Sequence, residues 1–240
     1  MDTKIAYLKK LPTLKKLSEI LGYAPDQTLV IYDRKLEKDE AVSKWLKVGQ
    51  KIEYPVTAGE RLKELDYFAG HVKKIVKKLG ASSHGKMVVV GLGGGSVGDF
   101  ASFFASIYKR GVPVVHVPST LLAALDSAHG GKTALTVNGV TNQVGSFYSA
   151  EAVLIAKEIL QALPPAEIKS AAGELAKTML IAGGSLFEEG SSSDFDDFAT
   201  FWKLLPEAID TKNKIVDKDP FEKKGERQLL NLGHTFGHAL

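Results

Sequence analysis

The sequence predicts an α/β fold, with an N-terminal domain on a mostly parallel sheet (residues 1–160) and an all-helical domain after it (residues 161–240). Three observations predict this. Short apolar runs rich in Val and Ile alternate with helical patterns through the first two thirds of the chain, the form of strands buried on both faces of a parallel sheet. One run, Met87 to Leu92, passes through Gly93, Gly94 and Gly95 directly into a helical pattern. From Leu163-Pro164-Pro165 onward the strand-like runs stop and helical patterns alone remain, which places a boundary near residue 160.

In order, Leu11 to Leu21 reads as a helix and Thr28 to Tyr32 as a buried strand ending at Asp33. Ile52 to Val56 is a second strand, after which Ala58-Gly59-Glu60 turns into one long helix reaching Gly80, with Glu60 and Lys63 in its first turn. The helix after the three glycines begins near Val97, with Phe100, Phe103, Phe104 and Ile107 on one face. Val112 to Val117 and Val153 to Ile155 complete the strands, and residues 136–148, polar and turn-rich, suit a hairpin or a binding loop. Helices are expected over 166–182, 195–216 and from 229 onward, with a surface loop at 188–197.

A chain of 240 residues that is 44% hydrophobic can bury a substantial core. Its net charge of +3 implies neither a nucleic-acid nor a membrane partner. Residues 1–80 are more basic, with 17 Lys plus Arg against 11 Asp plus Glu, an excess that sits mostly on solvated helix faces. There is no cysteine, so thiolate metal sites, thiol nucleophiles and disulfides are excluded. No apolar stretch has the length of a membrane span, and the N-terminus lacks the apolar region of a signal peptide. The expected compartment is the cytoplasm.

Strand, glycine turn and helix bring bare backbone N–H groups and a positive helix end to a phosphate. Gly93, Gly95 and Gly98 satisfy G-x-G-x-x-G in that context. The acid expected about 20 residues further on, to hold a ribose, is missing: after Asp99 none appears before Asp126. Two readings of the turn have equal weight, a phosphate cradle and a close packing of helix on sheet. Asp33, at the carboxyl end of its strand, is either a ribose-binding acid or a helix N-cap, and sequence alone favours the cap. Gly130-Gly131-Lys132-Thr133 lacks the upstream Gly of a Walker motif and does not follow a strand directly, so the P-loop reading is rejected, although a Lys beside a glycine turn suits an anion. His234 and His238, at i and i+4, would share one helix face, the spacing of two metal ligands or of a ligand and an acid–base group.

Together these stretches resemble the 3-dehydroquinate synthase family of sugar-phosphate cyclases. The resemblance rests on Gly93 to Asp99, Tyr108 to Gly111, Val117 to Leu122, Asp126-Ser127 with Gly130 to Ala134, Leu163 to Glu167, and Leu230 to Ala239, in the family's order. It implies an enzyme that uses NAD catalytically, with a divalent metal, usually zinc. The substrate would be 3-deoxy-D-arabino-heptulosonate 7-phosphate, converted by transient oxidation, β-elimination of phosphate, re-reduction and intramolecular aldol closure. By the same resemblance Asp33, Glu60 and Lys63 match adenosine-side contacts. Gly94, Gly95, Ser96, Val97, Gly98 and Asp99, with Ser119 and Thr120 beside them, match the pyrophosphate and nicotinamide side. Asp126 falls near the hydroxyl to be oxidised, and Lys132, Asn142, Lys177, Arg227 and Asn231 match groups that hold carboxylate, hydroxyls and phosphate, Lys132 at the cofactor edge as well. Arg110 matches a phosphate contact from a neighbouring subunit, which implies a homodimer; Glu174 and His234 match two of three metal ligands, and His238 a proton-handling histidine.

The chain departs from the pattern at Val140-Thr141-Asn142, where the family has Gly-Lys-Asn, and at Asp219-Pro220-Phe221-Glu222, where it has a Lys or Arg before the Glu. Lys223 or Lys224 is the candidate substitute for the second lost cation, and Gln161 stands where Lys is common. The third metal ligand would lie past Leu240, so these residues are expected to be a partial form of low activity. The rival readings are a cyclase acting on sedoheptulose 7-phosphate, a metal-dependent alcohol dehydrogenase and a non-catalytic NAD-binding module.

Overall fold

A computed structural model describes residues 3–80, 85–191 and 197–233. Six strands form one parallel sheet: β1 (Lys4–Leu8), β2 (Gln27–Asp33), β3 (Ile52–Val56), β4 (Met87–Gly93), β5 (Val114–Pro118) and β8 (Ala152–Ala156), in the spatial order β1-β8-β5-β4-β2-β3. The apolar runs become central strands because both faces are covered: every residue of β4, β5 and β8 is buried. Alternate side chains feed two cores. Leu29, Ile31 and Val89 face one layer, and Val30, Tyr32, Val88 and Val90 face the other.

The second layer is made by α1 (Leu14–Leu21), α2 (Glu40–Lys47) and the short α5 (Lys157–Leu160), through Leu17, Leu21, Trp45 and Ile159. The first is made by α3 (Leu65–Leu79), α4 (Gly95–Ile107), α6 (Pro165–Ala182), α7 (Gly184–Ser191) and α8 (Phe198–Lys218). Phe100 and Phe104 of α4 are fully buried there, each worth about 1.5–3 kcal/mol of transfer free energy. The apolar stripes of α6 and α8 join the same cluster, through Ala171, Leu175, Leu204 and Leu205 among others. Among the described residues no helix is long and apolar enough to cross a membrane.

Chain direction places the functional crevice. From β2 the chain goes to β3 on one side, and from β4 it goes to β5 on the other. Ligands in such sheets bind where the order reverses, beyond the carboxyl ends. Here those ends carry Asp33 on β2 and Gly93 on β4.

Several boundaries differ from expectation for local reasons. Helix α1 starts at Leu14 because Thr13 caps it, its hydroxyl accepting from Lys16 N at 3.1 Å. The long helix expected after Gly59 is broken: Glu60–Lys63 is a 3-10 turn, Glu64 is extended (φ −65, ψ 131), and α3 follows. The break aims Lys63 at α4. The segment 132–147 is an antiparallel hairpin, β6 (Lys132–Val137) and β7 (Val140–Phe147), closed by Asn138 and Gly139 at φ 51 and 77, the backbone of a type I′ turn. Of the helix expected from 229, the described residues begin in a 3-10 turn over Glu226–Asn231, which Leu232 (φ −53, ψ 129) and Gly233 (φ 79) end. Residues 234–240, with His234 and His238, lie outside the described residues. Strand β1 was not expected; KIAYL is a half-exposed edge that pairs only with β8.

The packing of the glycine turn is testable. A Cβ on Gly93 would meet Val97 Cβ at 2.6 Å with both Val97 methyls inside 3.0 Å. Gly93→Ala should therefore lose about 1–3 kcal/mol in urea denaturation, as over-packing does; an unchanged midpoint would contradict this packing.

Candidate active site

The glycine turn divides its labour. Gly91, Gly93 and Gly98 serve packing: added Cβ atoms would meet Ala101 Cβ at 2.8 Å, Val97 and His116 Nδ1 at 3.4 Å. Gly94 and Gly95 serve access. Gly94 is the N-cap of α4 with no side-chain cap, and its carbonyl accepts from Val97 N and Gly98 N at 3.1 Å. The Gly95 and Ser96 amides are then left at the positive end of a 13-residue helix, the arrangement that binds anions. The neighbours of Gly94 and Gly95 are the side chains of Thr120 and Ser127. Ser119 is tied to the same turn, its N–H donating to Gly93 O at 2.9 Å.

Ser96 Oγ accepts from Gly59 N at 3.0 Å, which draws the Glu60–Lys63 turn alongside. Lys63 Nζ then meets Asp99 Oδ2 at 2.9 Å, both side chains largely buried. Burial raises the Asp99 pKa, against the pull of Lys63. Glu60 is exposed on that turn. Asp33 Oδ1, at the carboxyl end of β2, accepts from Lys35 N at 3.1 Å and caps the 3-10 turn Arg34–Lys38.

Beside this turn lies a cavity of about 710 Å³, within the range of small-molecule sites. Lys63 and Asp99 line it from the glycine-turn side; Asp126, Ser127 and His129 from the segment after β5; Lys132, Asn142, Ser146 and Phe147 from the hairpin; and Lys212, Glu222, Arg227 and Asn231 from the helical part. Seven of the residues singled out in the sequence thus share it: Lys63, Asp99, Asp126, Lys132, Asn142, Arg227 and Asn231. Glu174 and Lys177 of α6 adjoin it. Lys177 Nζ donates to Leu230 O at 2.7 Å, next to Asn231, and pairs with Glu174 Oε1 at 2.5 Å. Arg110 is elsewhere, exposed at φ 69.

Asp126 sits on a π-helical turn, Ala123–Ser127, a distortion that recurs at functional sites. Its partner, Lys212, was not anticipated. Lys212 is buried on the apolar face of α8, between Ala208, Ile209 and Ile215; its ammonium donates to Asp126 O at 2.5 Å and pairs with the Asp126 carboxylate. Burial lowers its pKa, and Asp126 opposes that shift. A lysine in register with Leu205, Ala208 and Ile209 was the available signal.

Neither Lys223 nor Lys224 lines the cavity. The Lys223 and Lys224 amides donate to the Asp219 carboxylate at 2.7 and 3.0 Å, and the Lys224 ammonium donates to Lys218 O at 3.0 Å. Glu222 turns inward at φ 54 and pairs with Lys132 at 2.6 Å, while Phe221 packs edge-on against Phe147, 5.6 Å between centroids. Arg227 is buried; Nη1 donates to Pro220 O at 2.9 Å and Gly130 O at 3.2 Å, and Nε has no partner among the described residues. The Glu174 carboxyl has a raised pKa, from burial first and the Asp126 charge second. Among the described residues no three His, Cys, Asp or Glu side chains group to hold a metal.

Known proteins resemble this chain in sequence and in fold. The family model described as 3-dehydroquinate synthase N-terminal matches residues 53–170, and that described as 3-dehydroquinate synthase C-terminal matches residues 171–240. A 3-dehydroquinate synthase of Coxiella burnetii is 39% identical over 76% of this chain and 51% of its own length. One of Lactiplantibacillus plantarum is 35% identical over 100% of this chain and 66% of its own. The chain thus spans about half to two thirds of these relatives. A crystal structure of 2-deoxy-scyllo-inosose synthase complexed with carbaglucose-6-phosphate, NAD+ and Co2+ superposes with a TM-score of 0.80 at 27% identity, covering 98% of this chain and 66% of that one.

The two buried imidazoles set a pH dependence. Burial pushes the pKa of His116 and of His129 down to about 4 from 6.5. Between those values the unfolded chain binds more protons than the folded one, so this stability is fully present above pH 6.5 and is lost as pH falls through about 4. Urea midpoints should decline across that window; a flat profile would contradict neutral burial.

Proposed function

Because the chain belongs to the 3-dehydroquinate synthase family, we propose that it takes part in converting 3-deoxy-D-arabino-heptulosonate 7-phosphate to 3-dehydroquinate and phosphate, the second step of the shikimate pathway. One observation carries this reading: a single cavity is bounded by Asp99 of the glycine-turn helix with Lys63 of the neighbouring 3-10 turn and by Asp126, Lys132, Lys212 and Arg227. A dinucleotide on the turn and a phosphorylated sugar acid among the cations would then meet at Asp126.

NAD fits this chain at the start of α4, where Gly94 leaves the helix end without a side-chain cap and the hydroxyl residues Thr120 and Ser127 are the neighbours of Gly94 and Gly95. When bound, it supplies a reversible hydride acceptor. Asp33 and Glu60 are proposed for the adenosine side, with Lys63, Ser96 and Thr120 nearer the pyrophosphate. For the divalent metal, proposed at Glu174 and His234, the described residues supply one carboxylate, already paired with Lys177. They do not make a site by themselves.

The chain's own groups have distinct tasks. Asp126, held by Lys212, is a carboxylate within reach of the cavity and accepts the hydrogen bond of the hydroxyl to be oxidised. Arg227 and Lys132 take the substrate's anionic groups, with Asn142 and Asn231 on its hydroxyls. Each charge-assisted bond is worth about 1.5–3 kcal/mol. Lys132 must first exchange Glu222 for substrate. Lys177 steadies Glu174 and the Leu230–Asn231 backbone. His238 is proposed for proton handling and Arg110 for reaching a partner's phosphate in a homodimer. The division into a dinucleotide part (1–160) and a metal and substrate part (161–240) is proposed with this assignment.

A second reading, a cyclase acting on sedoheptulose 7-phosphate, is favoured by Thr141 and Phe221, which leave the cavity short of two cations, and by the engagement of Lys224 elsewhere. Supplied with NAD and zinc, a form of its relatives' full length should release inorganic phosphate from the heptulosonate phosphate and far less from sedoheptulose 7-phosphate, and the 240 residues alone should do so more slowly. Asp126→Asn should lower that rate by about 100-fold or more. Preference for the uncharged-head sugar would transfer the assignment to the second reading, and silence toward both, with NAD bound, would refute the cyclase. Gly94→Ala should weaken NAD binding at least about tenfold while changing stability by less than about 1 kcal/mol, measured by calorimetry and urea denaturation; intact NAD affinity would contradict the cradle.

A further inference from the structure

Asp126 owes its position to a turn that is not an α-helix. In an α-helix the Ala128 N–H would bond the Ala124 carbonyl. Here it reaches five residues back to Ala123 O at 3.0 Å, and His129 N–H bonds Asp126 O at 3.1 Å. The Ala124 carbonyl, in a buried residue, is taken instead by the His129 ring, Nε2 to O at 2.8 Å. A carbonyl oxygen only accepts, so Nε2 carries the hydrogen and, in the neutral ring, Nδ1 is bare. At its other end the turn is held by Thr120, whose Oγ1 accepts from Ala123 N at 3.1 Å.

The turn joins the two halves of the site. Ser127 Oγ would lie 3.0 Å from a Cβ on Gly95, so it backs the glycine turn, and the preceding residue, Asp126, lines the cavity and pairs with Lys212. We propose that His129 is a positioning residue: its Nε2–H fastens the carbonyl that the π-helical turn leaves over, and so fixes Asp126 between the glycine turn and the substrate cavity. It acts through Asp126 and touches no reacting atom. The ring is 5% exposed and packs beside the Lys212 ammonium, which favours its neutral form. In its part concerning catalysis the inference rests on the function proposed above.

The test uses His129→Leu, which removes the donor, and His129→Gln, whose amide N–H replaces it. In the unsubstituted chain with 15N-labelled histidine, one ring, absent from both variants' spectra, should appear as the Nε2–H tautomer at neutral pH. Amide hydrogen exchange at Ala128 should quicken about tenfold or more in His129→Leu and return toward the original in His129→Gln. With heptulosonate phosphate, NAD and zinc, kcat should fall about tenfold or more in His129→Leu at little-changed KM and NAD affinity, with recovery in His129→Gln. An Nδ1–H tautomer, unaltered Ala128 exchange in His129→Leu, or equal kcat in the two variants would each overturn the assignment. If neither the unsubstituted chain nor its full-length form turns over, the functional reading fails by itself, and the tautomer and exchange results still decide whether His129 holds the turn.

Discussion

The ion pair between Lys212 and Asp126 is the contact on which the rest of the site depends. An ammonium on the apolar face of α8 is costly unless a carboxylate meets it, and Asp126 is that carboxylate. The pair therefore does two things at once. It draws the helical part of the chain onto the segment after β5, and it keeps a charged carboxylate at the wall of a cavity. The Arg227 guanidinium adds a second tie, a charged hydrogen bond from the Glu226–Asn231 turn to the Gly130 carbonyl. Helices and sheet share one apolar layer, but these polar ties set how the cavity between them is furnished.

The parallel sheet supplies the other half. Reversal of strand order between β2 and β4 leaves the ends of both strands open, and the glycines after β4 let α4 start close against the sheet. Packing and anion binding compete for a glycine turn only if the same residue must do both. Here Gly93 and Gly98 press against Val97 and His116, and Gly94 leaves the helix end without a side-chain cap.

Much of this was legible in the sequence because it rests on local patterns. The buried strands announced themselves as Val-rich runs, and the glycine turn stood between a strand and a helix. Asp33 does act as the cap that the residues favoured. What stayed hidden depends on distant residues. Lys212 is one lysine in a helix full of them, distinguished only by its apolar neighbours. The break at Glu64, which turns Lys63 toward Asp99, has no glycine or proline to mark it. Strand β1 gains its conformation from β8, almost 150 residues away, and the inward turn of Glu222 follows from its pairing with Lys132.

The central claim is that hydride leaves and returns at one cavity within a single turnover. Stopped-flow absorbance at 340 nm, with enzyme and NAD in excess over heptulosonate phosphate, tests it most directly. The account expects reduced nicotinamide to rise and then decay to the starting level as phosphate appears. Reduced nicotinamide that accumulates in proportion to substrate would make the protein a dehydrogenase, and the absence of any rise with NAD bound would leave it a dinucleotide-binding module.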